Sequence, residues 1–347
     1  MQVASYLLIS TPSMKKRWNW EMSEFISTTI PKFTSVLIAI TAFFVILTLL
    51  FAIAGRADGK KTRPVSLAIF LGPALLLLLA GLVIPGARTI VFSFMNPDSN
   101  GWVGFENYYW MTQDPNVKTI MFNTILWILV VPLFTAALGL LLAIMLDRIK
   151  HESIPKSLLF MPMAISFVGA SIIFKFVYEY NEPSEVQIGL LSSIVKFLGF
   201  TPTDWMLAKP LNTFLLMIIY VWTQMGFGMV ILSAAIKAVP TDIVEASALD
   251  GAHGWDLFRN ITFPMVKGTF IVVLATGVVG ALKVFDIVRT MTGGNFGTNV
   301  LANEMYSQTF VQFDQGKGAA LSVILFLLVT PILVYNIRSL RRERSHS

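Results

Sequence analysis

The sequence predicts an all-α polytopic membrane protein of about seven transmembrane helices with a six-helix core, and three observations predict it. Hydrophobic residues make up 55% of the 347 and charged residues only 13%. That is too little charge to cover a water-soluble globule, and the mean hydropathy is +0.70. Seven runs free or nearly free of charge begin at Phe33, Val65, Thr119, Ser157, Leu211, Gly268 and Gly318. Each meets or approaches the roughly 20 residues needed to cross a bilayer core of about 30 Å. In hydrocarbon every backbone N–H and C=O must be satisfied internally, so long continuous apolar runs read as helices and not as barrel strands.

The run from Phe33 starts too late, is too long and lacks the small-residue cleavage site of a signal peptide. It reads as an accessory helix behind a tail, together residues 1–64. The six runs that follow form the working core, 65–338, and a short basic tail, 339–347, closes the chain. The last run is followed by RSLRRERSHS, whose four arginines predict a cytoplasmic C-terminus under the positive-inside rule. Counting back puts 55–64, 147–156, 237–267 and the tail inside; they hold fourteen Lys and Arg, against four in the three outer loops. Seven crossings place Lys15, Lys16, Arg17 and Lys32 outside, against the rule. The conflict stands, with two ways out of it: WNWEMSEFISTTI (18–30) lies in the interface as an amphipathic helix, or translation starts at Met14.

The outer loops are short, and their Trp and Tyr residues suit the headgroup level. With no room for a soluble domain, a transporter or channel component is favoured over a receptor with an extramembrane catalytic domain. No cysteine is present, which excludes disulfides, thiolate metal sites and thiol catalysis. The net charge of +6 comes from segments flanking the apolar runs, so it reads as membrane topology and not as a nucleic-acid surface. His151, His253 and His346 are scattered without partners at ligand spacing, and no metal site or Ser/His/Asp set is expected.

One polar segment interrupts this pattern. AVPTDIVEASALDGAHGWDLFRNITFP divides into two short helices. Pro240 with Thr241 or Asp242 starts the first, and Gly251, free of a Cβ penalty in the left-handed conformation, ends it and reverses the chain. Trp255 to Ile261 makes the second, and Pro264 opens the next span. The predicted product is a helix–turn–helix across the cytoplasmic ends of the bundle, with the Glu245 carboxylate beside small side chains that let a partner approach. An ordinary capped interfacial loop has the same local signals.

The spacing Glu245-Ala246-Ser247, then Gly251, then Ile261, Phe263 and Pro264 resembles the EAA loop of ABC importer permeases. Ser247 and Phe263 depart from the family's Ala and Leu while keeping size or apolarity. LDGA at 249–252, with Asp250 and Ala252, is similar to the carbohydrate-type importers. So is TGGNFGTNVLANEMYSQTFVQFDQGKGAALSVILFLL at 292–328, where Asn295 replaces a proline. GFENY (104–108) and Asn123-Thr124 match earlier family positions, and the resemblance covers about 67–338. It implies a type I ABC importer permease fold of the maltose-type class in a bacterial cytoplasmic membrane. The loop 240–264 would couple to the ATPase through Glu245, Ala246, Ser247, Asp250, Gly251 and Ala252. Implied partners are a second similar permease, two ATPase subunits carrying ATP and Mg, an extracytoplasmic sugar-binding protein and membrane lipid. This chain would bind no cofactor and hydrolyse nothing, in keeping with its lack of a Gly-x-x-x-x-Gly-Lys-Ser/Thr nucleotide loop.

In the run from Leu211, YVWTQMGF places Tyr220, Thr223, Gln224 and Phe227 on one helical face. Amides and hydroxyls bond sugar hydroxyls while aromatic rings cover the apolar faces of a pyranose, although polar glue between helices has the same composition. In the next run Gly280 and Phe285 are further candidates for the lining. Lys283, Asp286 and Arg289 follow at i, i+3 and i+6, placed either to contact substrate or to reach the headgroups. A permease for glycerol phosphate or another polar solute, and an ion-driven secondary transporter, are the rival readings.

Overall fold

The computed structural model describes residues 32–38, 40–45, 48, 63–147, 149–182 and 184–344. The interfacial helix expected over 18–30, the alternative start at Met14 and residues 345–347 of the tail lie outside them. The chain divides into two compact units, 1–86 and 87–347. The first is helical over 32–38 and 40–45 and carries α1 (Arg63–Leu78), which continues through a π-helical turn, Leu79–Val83. The next helix, α2 (Ile84–Phe92), begins at the end of this unit.

The second unit is built on α4 (Pro115–Leu146), α8 (Leu211–Lys237) and α11 (Phe263–Leu282), preceded by a short α3 (Glu106–Gln113). At 32 residues α4 is about 48 Å long, more than the hydrocarbon core needs. Its start is encoded locally: Asp114 accepts from the Asn116 backbone N–H at 2.8 Å, and Pro115 takes the first helical position. Along its length α4 packs on α8 and α11. Trp127 and Val131 of α4 and Leu216 and Ile219 of α8 are wholly buried there. The contact is close because it is made by glycines: a Cβ at Gly139 would sit 2.9 Å from the Gly228 carbonyl carbon. Elsewhere large apolar side chains such as Leu129, Leu133 and Phe134 point outward, as lipid permits.

Among the described residues four helices are long and apolar enough to cross a membrane: Leu71–Phe92, Pro115–Leu146, Leu211–Lys237 and Trp255–Leu282. The apolar stretches Lys32–Val45 and Gln315–Pro331 are shorter, the latter lying in the 30-residue α14 (Gln315–Arg344). The run from Ser157 is not one straight rod. It forms α5 (Ser153–Phe160), a 3-10 turn (Met161–Ala164) and α6 (Phe167–Val177), with a bend of 102°. Pro162 cannot donate in that turn, and Ser166 starts a new helix by accepting from Gly169 N–H at 3.1 Å. Counted as one, this bent pair is a fifth span.

A short α7 (Leu190–Phe197) leads toward α8. After α11 the chain breaks. Lys283 and Phe285 leave helical geometry before α12 (Asp286–Met291) begins, so Lys283, Asp286 and Arg289 do not share one helix as their spacing suggested. Arg289 lies over the Tyr306 ring at 5.1 Å. Then α13 (Leu301–Tyr306) and a π-helical turn (Ser307–Val311) precede α14. Among the described residues there is no strand, only an isolated bridge between Met95 and Trp102.

Candidate functional site

The polar segment forms α9 (Thr241–Leu249), a turn, α10 (Trp255–Leu257) and a π-helical turn (Phe258–Thr262) that runs into α11. Gly251 has φ +85°. Its N–H bonds the Ala248 carbonyl at 3.1 Å and the Ala252 N–H bonds the Ser247 carbonyl at 2.9 Å, the paired closure of a Schellman cap. A Cβ on Gly251 would meet nothing within 4 Å, so the demand for glycine is one of backbone conformation alone. Gly254, at φ +55° and ψ −114°, is a second positive-φ position that the sequence pattern had not suggested.

Glu245, Ala246, Asp250 and Gly251 are exposed, and Ala252 is half-buried. Ser247 faces inward at 8% exposure and donates to the Val244 carbonyl at 2.8 Å, so the small surface beside Glu245 belongs to Ala246. Leu249 is 91% exposed, and Ile243 and Trp255 are also exposed. Large apolar groups beside a carboxylate on a polar two-helix element make a surface suited to a protein partner.

Just before this element, α8 is tied to its neighbours by a cluster of charges. Lys156 Nζ donates to Asp147 Oδ1, to Glu152 Oε2 at 2.8 Å and to Ser233 Oγ at 2.7 Å. Ser233 in turn donates to Asp147 Oδ1 at 2.6 Å, and Lys237 pairs with Glu152 Oε1. The ends of α4 and α8 and the start of α5 are thereby held together, three residues before Pro240. Lys156 and then Lys237 hold the Glu152 carboxyl down at about 2. Sequence reasoning missed this clasp, although Glu152 and Lys156 at i, i+4 were a local signal.

At the other end of the same helices, neutral amides do the holding. Asn123 Nδ2 donates to the carbonyls of Gly297 at 2.7 Å and Asn299 at 3.0 Å, and Asn212 Nδ2 donates to the Phe296 carbonyl at 3.0 Å. Thr124 Oγ1 accepts from Leu301 N–H at 3.0 Å. Within GFENY, Asn107 donates to the carbonyls of Ser93 and Met95, both at 2.9 Å. The loop held by Asn123 and Asn212 is tightly wound, with Gly293, Gly294, Phe296 and Gly297 all at positive φ.

The polar-aromatic face of α8 is only partly open. Tyr220, 5% exposed, stacks on Phe167 with ring centroids 5.1 Å apart, and its hydroxyl occupies the space where a Cβ on Gly280 would stand. Thr223 is buried and donates to the Tyr220 carbonyl at 2.8 Å. Gln224 and Phe227 are half-buried. Phe285 lies apart, in an apolar recess of about 400 Å³ with its ring 4.9 Å from that of Tyr306. Tyr220 and Gly280 are thus brought together, and the six candidates do not converge on one cavity of this chain.

Solved structures with this fold include the bacterial alginate ABC transporter in complex with an alginate pentasaccharide-bound periplasmic protein. A chain of it is 18% identical, with TM-score 0.69 over 81% of this chain and 95% of that one. Among curated relatives, the osmoprotective compounds uptake permease of Synechocystis sp. is 44% identical over 79% of this chain and 99% of its own length. The alpha-glucoside transport system permease of Rhizobium meliloti is 41% identical over 93% of this chain and 99% of its own. The family model for binding-protein-dependent transport system inner membrane components matches residues 111–341, and the chain belongs to that family.

Proposed function

We propose that this chain is one half of the pathway of an ATP-driven importer for sugars or oligosaccharides. As an inner membrane component of a binding-protein-dependent system it works beside an ATPase and a binding protein. The finer assembly, a second permease, two ATPase subunits with ATP and Mg, and a sugar-loaded extracytoplasmic receptor, is part of this reading, as are a cytoplasmic C-terminus and the absence of catalysis by this chain. The observation that carries it is the exposed α9–α10 element, presented between two spans with Glu245, Leu249 and Trp255 unburied. Relatives named for alpha-glucosides and arabinooligosaccharides support sugar over glycerol phosphate.

In this reading the ATPase grips α9, and its Schellman cap keeps the helix pointed at the docking cleft. Movement of α9 passes into α8 through 238–240 and, through the clasp at Lys156, into α4 and α5. Gln224 and Phe227 face the pathway shared with the second permease, where an amide and a ring suit a pyranose. Tyr220, Thr223 and Gly280 shape that face from behind, and Phe285, apart from it at the break after α11, is a separate candidate for contact with the solute. The test is transport by the complete complex in proteoliposomes. Uptake must require ATP and the binding protein; uptake that instead follows an imposed proton or sodium gradient without ATP would contradict the reading.

A further inference from the structure

At the end of the second unit opposite α9, a half-open cavity of about 650 Å³ lies among the first turns of α4, the loop at 294–299, α13 and Lys209. Its volume is within the range of about 300–1,000 Å³ typical of small-molecule sites. We infer that this cavity is a second, outer binding site for a neutral polyhydroxyl solute, separate from the pathway face on α8.

The polar groups define the ligand. Glu304 accepts from Asn299 Nδ2 at 2.7 Å through one oxygen and from Gln308 Nε2 at 2.6 Å through the other. A carboxylate has about four lone-pair positions, so two remain open. Gln308 is 4% exposed, and its Oε1 is a buried acceptor with no partner. The Gln308 oxygen is sealed from the cavity, so on this wall it is the part-exposed Glu304 carboxylate that offers acceptor positions and calls for donors. Across from it stands Lys209, exposed and without an ion pair among the described residues, its Cε 3.3 Å from where a Cβ on Gly297 would be. Lys317 is already committed, to Asp314 at 3.1 Å and to the Trp110 ring at 4.9 Å.

An anion would meet the carboxylates of Glu304 and Asp114, and a cation would meet Lys209. Hydroxyl groups suit both walls, because each can donate to Glu304 while accepting from the ammonium. Trp110 and Phe296 add ring surface of the kind that covers the apolar face of a sugar. A site here, next to a loop fixed by Asn123 and Asn212, would hold released solute at the mouth of the pathway.

The inference uses the sugar-uptake reading only to choose the probe. The complete complex, in nanodiscs without the soluble binding protein, is titrated with trehalose while saturation transfer from protein to sugar is followed. Lys209→Met, whose side chain has no partner among the described residues, and Glu304→Gln should each weaken saturable trehalose binding at least tenfold, and Lys196→Met, an exposed lysine away from both sites, should leave it within twofold. Loss of binding in Gln224→Ala with retention in Lys209→Met would overturn the outer site, as would absence of saturable binding in the wild type. ATP-dependent trehalose uptake, measured on the same preparation with receptor added, separates the two claims. Uptake without such binding removes the outer site alone, whereas binding without uptake supports the site and counts against the transport reading.

Discussion

The two ends of the α4–α8 pair are built from different chemistry. At the α9 end, Asp147, Glu152, Lys156 and Lys237 hold three helices together with charge, and a two-helix element projects into solvent. At the opposite end Asn107, Asn123 and Asn212 hold loops with neutral amides bonded to backbone carbonyls, and the charges present there, Glu304 and the Asp314–Lys317 pair, do not tie α4 to α8. An amide bonded to a carbonyl works only at one distance and orientation, so it suits a loop that must keep its shape. Ion pairs act over longer range and tolerate displacement, so they suit helix ends that must move as a group while a partner pushes on them. Under the proposed coupling, the difference suits movement at one end and a fixed rim at the other.

The largest effect should come from parting the helices on which both ends depend. Gly139→Leu has no room against the Gly228 backbone, and we expect no properly folded protein to be recovered by size-exclusion chromatography. A monodisperse, active variant would break the comparison at its base. Next is Lys156→Met, which leaves Asp147 and Glu152 facing each other. With Lys156 15% exposed, the loss should be about 3 kcal/mol, at the lower end for a buried pair stripped of one partner. Thermal unfolding in detergent checks the stability. ATP hydrolysis continuing while sugar uptake falls would place the clasp in coupling, and an equal fall in both would not.

Asn123→Ala frees the carbonyls of Gly297 and Asn299 and should cost about 1–3 kcal/mol. Faster amide exchange confined to 293–301 is expected; faster exchange at 241–252 as well would mean that the two ends are not independent. The smallest effect belongs to the exposed part of the clasp. The Glu152 carboxyl is held at about 2, below its ordinary 4.5. Its contribution to stability is therefore complete above about pH 4.5 and is lost as pH falls toward 2. Glu152→Gln should melt slightly below the wild type at pH 7 and converge with it in acid, whereas a difference that widens in acid would reverse the sign.

The apolar runs and the polar two-helix segment were legible because their signals are local. Charge-free length marks a span, and Pro240 and Gly251 bound α9 through their own backbone restrictions, as the φ of +85° at Gly251 bears out. The clasp was not legible because Ser233 is 77 residues from Lys156 and 86 from Asp147, and only the packing of α4 on α8 brings them together. Nor could periodicity foresee the break after Leu282, since apolar residues continue across it while the backbone turns at Lys283 and Phe285. On α8 the period placed Tyr220, Thr223, Gln224 and Phe227 on one face but not their depth, which at Tyr220 is set by the covering Phe167 ring.

The claim that α9 is aimed by its cap and transmits force is tested most directly at Gly251, where space is open and only φ is restrictive. A β-branched residue at this φ is strained by about 1–3 kcal/mol, whereas asparagine enters the left-handed region readily. Sugar taken up per ATP hydrolysed should be measured in proteoliposomes for the wild type, Gly251→Val and Gly251→Asn. The account predicts near-normal coupling in Gly251→Asn and at least a tenfold loss in Gly251→Val. Equal coupling in all three would contradict it.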